Sequence, residues 1–102
     1  MQIETIREMC SDDKIIVTQH FVIQCKARDI LYSEVKEVIQ NGTIIEEYLN
    51  SYPYPSCLVF GYTVNNRALH VVVGVTETNL WFITAYEPSL TYWESDFIHR
   101  KE

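Results

Sequence analysis

The spacing of apolar residues changes once along this chain, and the change falls at Gly42. Before it, apolar side chains recur every three or four positions; after it, they alternate. Helices therefore come first and strands follow, an order that excludes interleaved βαβ units. It predicts an α+β fold, with helices on one face of an antiparallel sheet. The opposite face is then left to solvent, to the chain's own tail, to a ligand or to a partner. At 102 residues the chain reads as a single domain with one core, residues 1–102.

Ile3, Ile6 and Met9 give a short amphipathic helix over residues 2–10, broken by Ser11-Asp12-Asp13. Lys14 to Val17 is apolar but too brief to assign. Thr18 is placed to cap a helix over 18–28 with Phe21, Val22 and Cys25 inward. Ser33 is placed to cap a second helix over 33–41 with Val35, Val38 and Ile39 inward. Asn41-Gly42 stops it, since both residues tolerate the left-handed conformation of a helix end. Strands are predicted at 43–48, 57–64, 68–75 and 80–86. The prolines of 51–56 mark a loop, Asn65-Asn66 a hairpin turn, and Pro88 the end of the last strand. The predicted architecture is a helical hairpin, plus the short N-terminal helix, on one face of a four-stranded antiparallel sheet. Residues 89–102 carry Tyr92, Trp93, Phe97 and Ile98. That is too much apolar surface to hang free, so this C-terminal tail is expected to dock on the sheet, the helices or a second copy.

Eight Lys and Arg against fourteen Asp and Glu leave a net charge of −6. Sequence-independent DNA binding works by releasing counterions to Lys and Arg, so this balance argues against it. The three cysteines, Cys10, Cys25 and Cys57, fit no zinc spacing. The segments around Cys25 and Cys57 suit small buried hydrophobes, and a reducing cytoplasm is the expected location. No signal peptide and no membrane-spanning run of about 18 apolar residues is read. Gly-rich phosphate loops, Gly-x-Ser-x-Gly, His-x-x-x-His and Cys-x-x-Cys are all missing. Neither a cofactor nor a metal is expected.

The alternation of Leu69, Val71, Val73 and Val75 puts His70 on the opposite face of its strand, beside Val72 and Gly74. There it serves either as an acid or base, or as a packed histidine under the tail with both nitrogens satisfied. His20, two residues into its helix, reads as an anchor of that helix to the core, and His99 as solvated. Arg28 and Arg67 have the bidentate fork that phosphate needs, but a helix end and a hairpin turn are also ordinary places for arginine. Glu46 and Glu47 point to opposite sides of their strand, so one of them can share a face with His70. Tyr86 and Trp93 read first as packing residues, although aromatics beside a cleft also stack on bases.

Thr18-x-His20, Arg28-Asp29-Ile30 and Asn41-Gly42-x-Ile44-Ile45-Glu46 together resemble the domain of unknown function 4258 family. The likeness continues through Tyr54-Pro55-Ser56-Cys57-Leu58, Gly61, Leu69-His70-Val71-Val72 and Ile83-Thr84-x-Tyr86-x-Pro88, and ends at Trp93 and Arg100. It spans about residues 15–100 and departs at Gln24 and Lys26, where relatives often carry Met or Arg. The resemblance implies a RelE/ParE-toxin-like fold of small bacterial or archaeal proteins. It also implies kinship with ribonucleases of toxin–antitoxin pairs, whose partner is a small antitoxin-like protein with a zinc finger. The polar positions carried over are His20, Arg28, His70, Tyr86 and Arg100.

Two functions follow from these readings. One is a metal-independent endoribonuclease-like toxin acting on RNA. His70 or His20 would be its acid and base, Tyr86 would stand beside them, and Arg28, Arg67 or Arg100 would hold phosphate. The other is a non-catalytic module that binds a protein or self-associates as a homodimer through an exposed apolar face.

Overall fold

The computed structural model describes residues 1–102. Three helices, α1 (Ile3–Met9), α2 (Gln19–Ala27) and α3 (Tyr32–Asn41), precede the main strands. These are β2 (Thr43–Tyr48), β3 (Ser56–Tyr62), β4 (Ala68–Val75) and β5 (Leu80–Tyr86); a three-residue strand, β1 (Ile15–Val17), lies between α1 and α2. The α+β order and the antiparallel pairing of the four consecutive strands are as the period change predicts.

The sheet itself is larger than expected and it is mixed. Five strands run in the order β1-β5-β4-β3-β2, with β1 parallel to β5 through Ile15↔Leu80, Ile16↔Trp81 and Val17↔Phe82. The expectation of four antiparallel strands is corrected here. Three residues are too few to show a period, and the partner of β1 lies more than sixty positions downstream. What holds β1 is long-range. Ile15 and Val17 pack against the core, and the Lys14 carbonyl accepts the Leu80 N–H at 3.0 Å.

Thr18 caps α2 as its position predicts, its Oγ1 accepting the Phe21 N–H at 3.1 Å. The start of α3 differs. Ser33 lies inside the first turn, and the cap position is Leu31, whose N–H donates to the Glu34 carboxylate at 2.9 Å. The end of α3 differs in cause. Gly42 has φ −90°, so left-handed geometry is not what stops the helix. A Cβ at Gly42 would instead overlap the carbonyl oxygens of Phe60 and Val38, and one at Gly61 would sit 3.0 Å from the Gly42 Cα. Glycine is required because backbone crosses backbone there.

One core of seventeen buried residues joins the helices to the sheet. Val35, Val38 and Ile39 of α3 share it with Val59, Leu69, Val71 and Val73, all without solvent exposure. Phe21 of α2 packs against Phe82 of β5 with ring centroids 5.5 Å apart. All three thiols are buried and unbridged, and burial pushes the Cys57 thiol up to about 11. Two inward assignments on α2 are corrected. Val22 is half exposed and His20 is exposed, because only Phe21 and Cys25 of the helix are turned to the core. No helix is long and apolar enough to cross a membrane.

Candidate functional site

All three helices cover one face of the sheet. The other face is built by the residues that alternate with the core set: Leu58 and Phe60 on β3, His70 and Val72 on β4, Trp81 and Tyr86 on β5. A bulge in β2 decides which glutamate joins them. Ile44 pairs with Val59 and Glu46 pairs with Leu58, so Ile45 is an extra residue. The insertion turns Glu46 to the side of Leu58 and Phe60, whereas Glu47, opposite Cys57, goes to the helical side and binds the N-terminal amine at 3.0 Å.

His70 is at the centre of that face with no solvent exposure. Its Nε2 is 2.8 Å from the Phe97 carbonyl oxygen. A carbonyl only accepts, so Nε2 carries the proton and donates. Nδ1, left with its lone pair, then accepts a hydrogen bond from the Tyr86 hydroxyl at 3.3 Å. The ring meets Phe60 (5.5 Å), Tyr86 (5.3 Å) and Trp93 (4.5 Å) edge to face. Burial holds the His70 pKa below that of a free imidazole. The Phe97 bond and the Glu46 charge work against this, and the Arg100 charge adds to it.

Glu46 and Arg100 close the cluster. Arg100 donates through Nε and Nη2 to the two Glu46 oxygens at 2.8 and 2.9 Å, a fork-to-carboxylate pair, while its guanidinium lies 4.5 Å over the Trp93 ring. The Tyr48 hydroxyl also donates to Glu46. The Arg100 bond first, and the Tyr48 bond with it, hold the Glu46 carboxyl below its usual range. The same packing pushes the Tyr48 phenol up to about 12, burial being the main cause. Each of Glu46 and His70 registers the charge of the other.

His70, Tyr86 and Arg100 are thus brought together, with Glu46 selected from its neighbour. The other candidates lie apart from them. Arg28 donates to the Ala85 carbonyl at 2.8 Å and to Thr84 Oγ1 at 3.3 Å, at the margin of the cluster, where Tyr86 registers its charge. Arg67 is a strut. Its two terminal nitrogens donate to the carbonyls of Asp29 and Arg28 and to the carboxylates of Glu34 and Glu87, all within 3.1 Å. His20 stands exposed at the start of α2. Tyr48 and Phe60 enter the cluster without having been singled out from the sequence, and Phe97, named there only as an apolar residue of the tail, enters through its carbonyl and its ring. Tyr48 was legible in principle, since two residues after Glu46 is the same face of a strand. No three His, Cys, Asp or Glu side chains gather in an arrangement that could hold a metal ion.

The family model described as "Domain of unknown function (DUF4258)" matches residues 17–87. No curated protein and no solved structure matches the chain. The matched segment contains α2 to β5, and so Glu46, His70 and Tyr86; the tail that supplies Trp93, Phe97 and Arg100 lies beyond it.

Proposed function

From the chain's membership of the DUF4258 family, to which it belongs over residues 17–87, and from the side chains that segment gathers, we propose a metal-independent endoribonuclease of the RelE/ParE toxin type. The observation that carries this reading is the convergence of Glu46, His70, Tyr86 and Arg100 on one sheet face. RNA cleavage without a metal needs a base for the 2′-hydroxyl and an acid for the departing 5′ oxygen. In this scheme the 2′-hydroxyl proton passes to the Glu46 carboxylate, and the 2′ oxygen bonds to phosphorus. The bond from phosphorus to the 5′ oxygen breaks as protonated His70 gives that oxygen its proton. The products are a 2′,3′-cyclic phosphate and a free 5′-hydroxyl. Once the Arg100–Glu46 pair has opened, the Tyr86 hydroxyl stabilises the phosphorane charge. Arg28 borders the site, whereas Arg67 and His20 have no step in it. The toxin role, with a zinc-finger antitoxin-like protein as partner, rests on the resemblance alone.

The test is cleavage of a single-stranded RNA carrying a fluorophore and quencher, in the presence of a chelator. Glu46→Gln and His70→Gln should each lower the rate by about 10²-fold or more while the circular dichroism stays native. Undiminished cleavage in both folded variants would overturn the assignment.

A second reading is favoured by one separate observation. Between α2 and the start of α3 lies an apolar groove of about 340 Å³ that includes Val17, Phe21, Val22, Leu31 and Tyr32. Val22 and Leu31 are more than half exposed there. An interaction module would use this groove. In that case Val22→Glu with Leu31→Glu abolishes partner or self-association, and Glu46→Gln does not.

A further inference from the structure

Residues 89–102 make every one of their backbone-to-backbone hydrogen bonds with each other. Tyr92 accepts from Lys101 at 2.9 Å, His99 accepts from Glu94 at 2.8 Å, and Trp93 pairs with Arg100 in an isolated bridge. The Asp96 carboxylate further takes the N–H groups of Ile98 and His99. The tail is therefore a self-bonded loop laid on the sheet, with no ladder to any strand. Side chains and one carbonyl attach it: Trp93 against His70, Phe97 against Phe60, the Phe97 carbonyl to His70, and Arg100 to Glu46. One attachment is strained. Phe97, a bulky residue, holds φ 59°, and its own carbonyl is the group that seals His70.

We propose that Trp93–Arg100 is an autoinhibitory strap that occupies the place of single-stranded RNA on the His70 face and lifts as a unit without unfolding the sheet. The groups it presents resemble those a nucleotide offers. An aromatic ring takes the place of a base against His70, and an oxygen acceptor faces Nε2 where a phosphate oxygen would stand. The strap also keeps Glu46 engaged by its arginine, so neither the base nor the acid is free while it is down. The identity of the displaced ligand rests on the functional reading above; the motion does not.

The three histidines provide an internal control, since His20 and His99 are exposed and His70 is sealed. Carbethoxylation by diethyl pyrocarbonate, resolved by mass spectrometry on the full chain, reads all three at once. His70 should react about ten-fold or more slowly than His20, at a rate that about 1 M urea leaves unchanged, as local opening requires. Trp93→Ala and Phe97→Ala should each bring His70 to within about three-fold of His20 while unfolding stays cooperative. A His70 rate that climbs with urea in step with global unfolding would overturn the strap and make the tail an integral part of the fold. A 2′-O-methyl oligoribonucleotide, which lacks the attacking hydroxyl, should re-protect His70 in Trp93→Ala. If His70 opens in that variant and the oligonucleotide fails to protect it, the motion is upheld, and RNA as the displaced ligand is overturned together with the ribonuclease reading.

Discussion

His70 carries the clearest consequence at the scale of a single residue. Its folded pKa lies below the ordinary histidine value of 6.5, chiefly through burial. The unfolded chain therefore binds the extra proton first, and stability is lost as pH falls from about 6.5 through the folded value. One such proton contributes a slope of at most about 1.4 kcal/mol per pH unit. The groups facing the ring are Tyr86 from β5, Glu46 from β2, and Trp93, the Phe97 carbonyl and Arg100 from the tail. Glu46 is itself lowered from 4.5, so its own loss begins in a more acidic window. Urea unfolding between pH 7 and 5 should show the decline in wild type and a flattened profile in His70→Gln, where an amide still donates to Phe97. A second prediction belongs to Arg67. Its fork meets two carbonyls and two carboxylates, a geometry a lysine cannot reproduce. Arg67→Lys should lower the unfolding free energy by about 1.5–3 kcal/mol and leave RNA cleavage per folded molecule unchanged.

Among the elements, glycine positions set the tightest limits. Gly42 and Gly61 let the end of α3 lie directly on β3, where a methyl at Gly42 would meet two carbonyl oxygens. Gly42→Ala should cost about 1–3 kcal/mol or more in chemical denaturation. Val71→Ala, on the fully buried face of β4, should cost about 1–3 kcal/mol through lost contacts and a cavity. If unfolding of either variant matched wild type, the packing of α3 on the sheet would be misread. These elements also mark how far the sequence could be read. Strands β2 to β5 and both hairpin helices were legible because each is long enough to show a period. The face of His70 followed from Leu69, Val71 and Val73 by alternation alone. Strand β1 was not legible, since parallel pairing with β5 is a long-range event that three residues do not encode. The choice of Glu46 over Glu47 was equally hidden. It depends on the bulge at Ile45, and alternation carried through that residue would put Glu46 on the helical face. Arg67 could not be told apart, as a phosphate ligand or an ordinary turn arginine, because its four acceptors come from distant segments of the chain.

For the molecule as a whole, the question is how much of its stability the tail supplies. Trp93 is 3% exposed, and burying a large side chain of this kind contributes roughly 1.5–3 kcal/mol. The Arg100–Glu46 fork adds a charge-assisted pair, but Arg100 is more than half exposed and solvent screens it. Against these stand the conformational entropy lost in ordering the loop and the left-handed Phe97, at roughly 1–3 kcal/mol. The internal bonds of the loop and the contact of Phe97 with Phe60 offset part of that ordering cost. The seventeen-residue core, by contrast, contains no residue beyond Ala85. A chain ending at Ser89 should therefore still unfold cooperatively, with a free energy lower than the full chain by no more than about 3 kcal/mol. The measurement is urea unfolding followed by circular dichroism, paired with sedimentation to compare the size of both chains. Loss of cooperative unfolding would show that the tail is an indispensable part of the fold rather than a loop docked upon it. A shorter chain that stays folded but dimerises would show that the bared face of Phe60, His70 and Tyr86 seeks a second copy, the competing occupant of the surface assigned above to RNA.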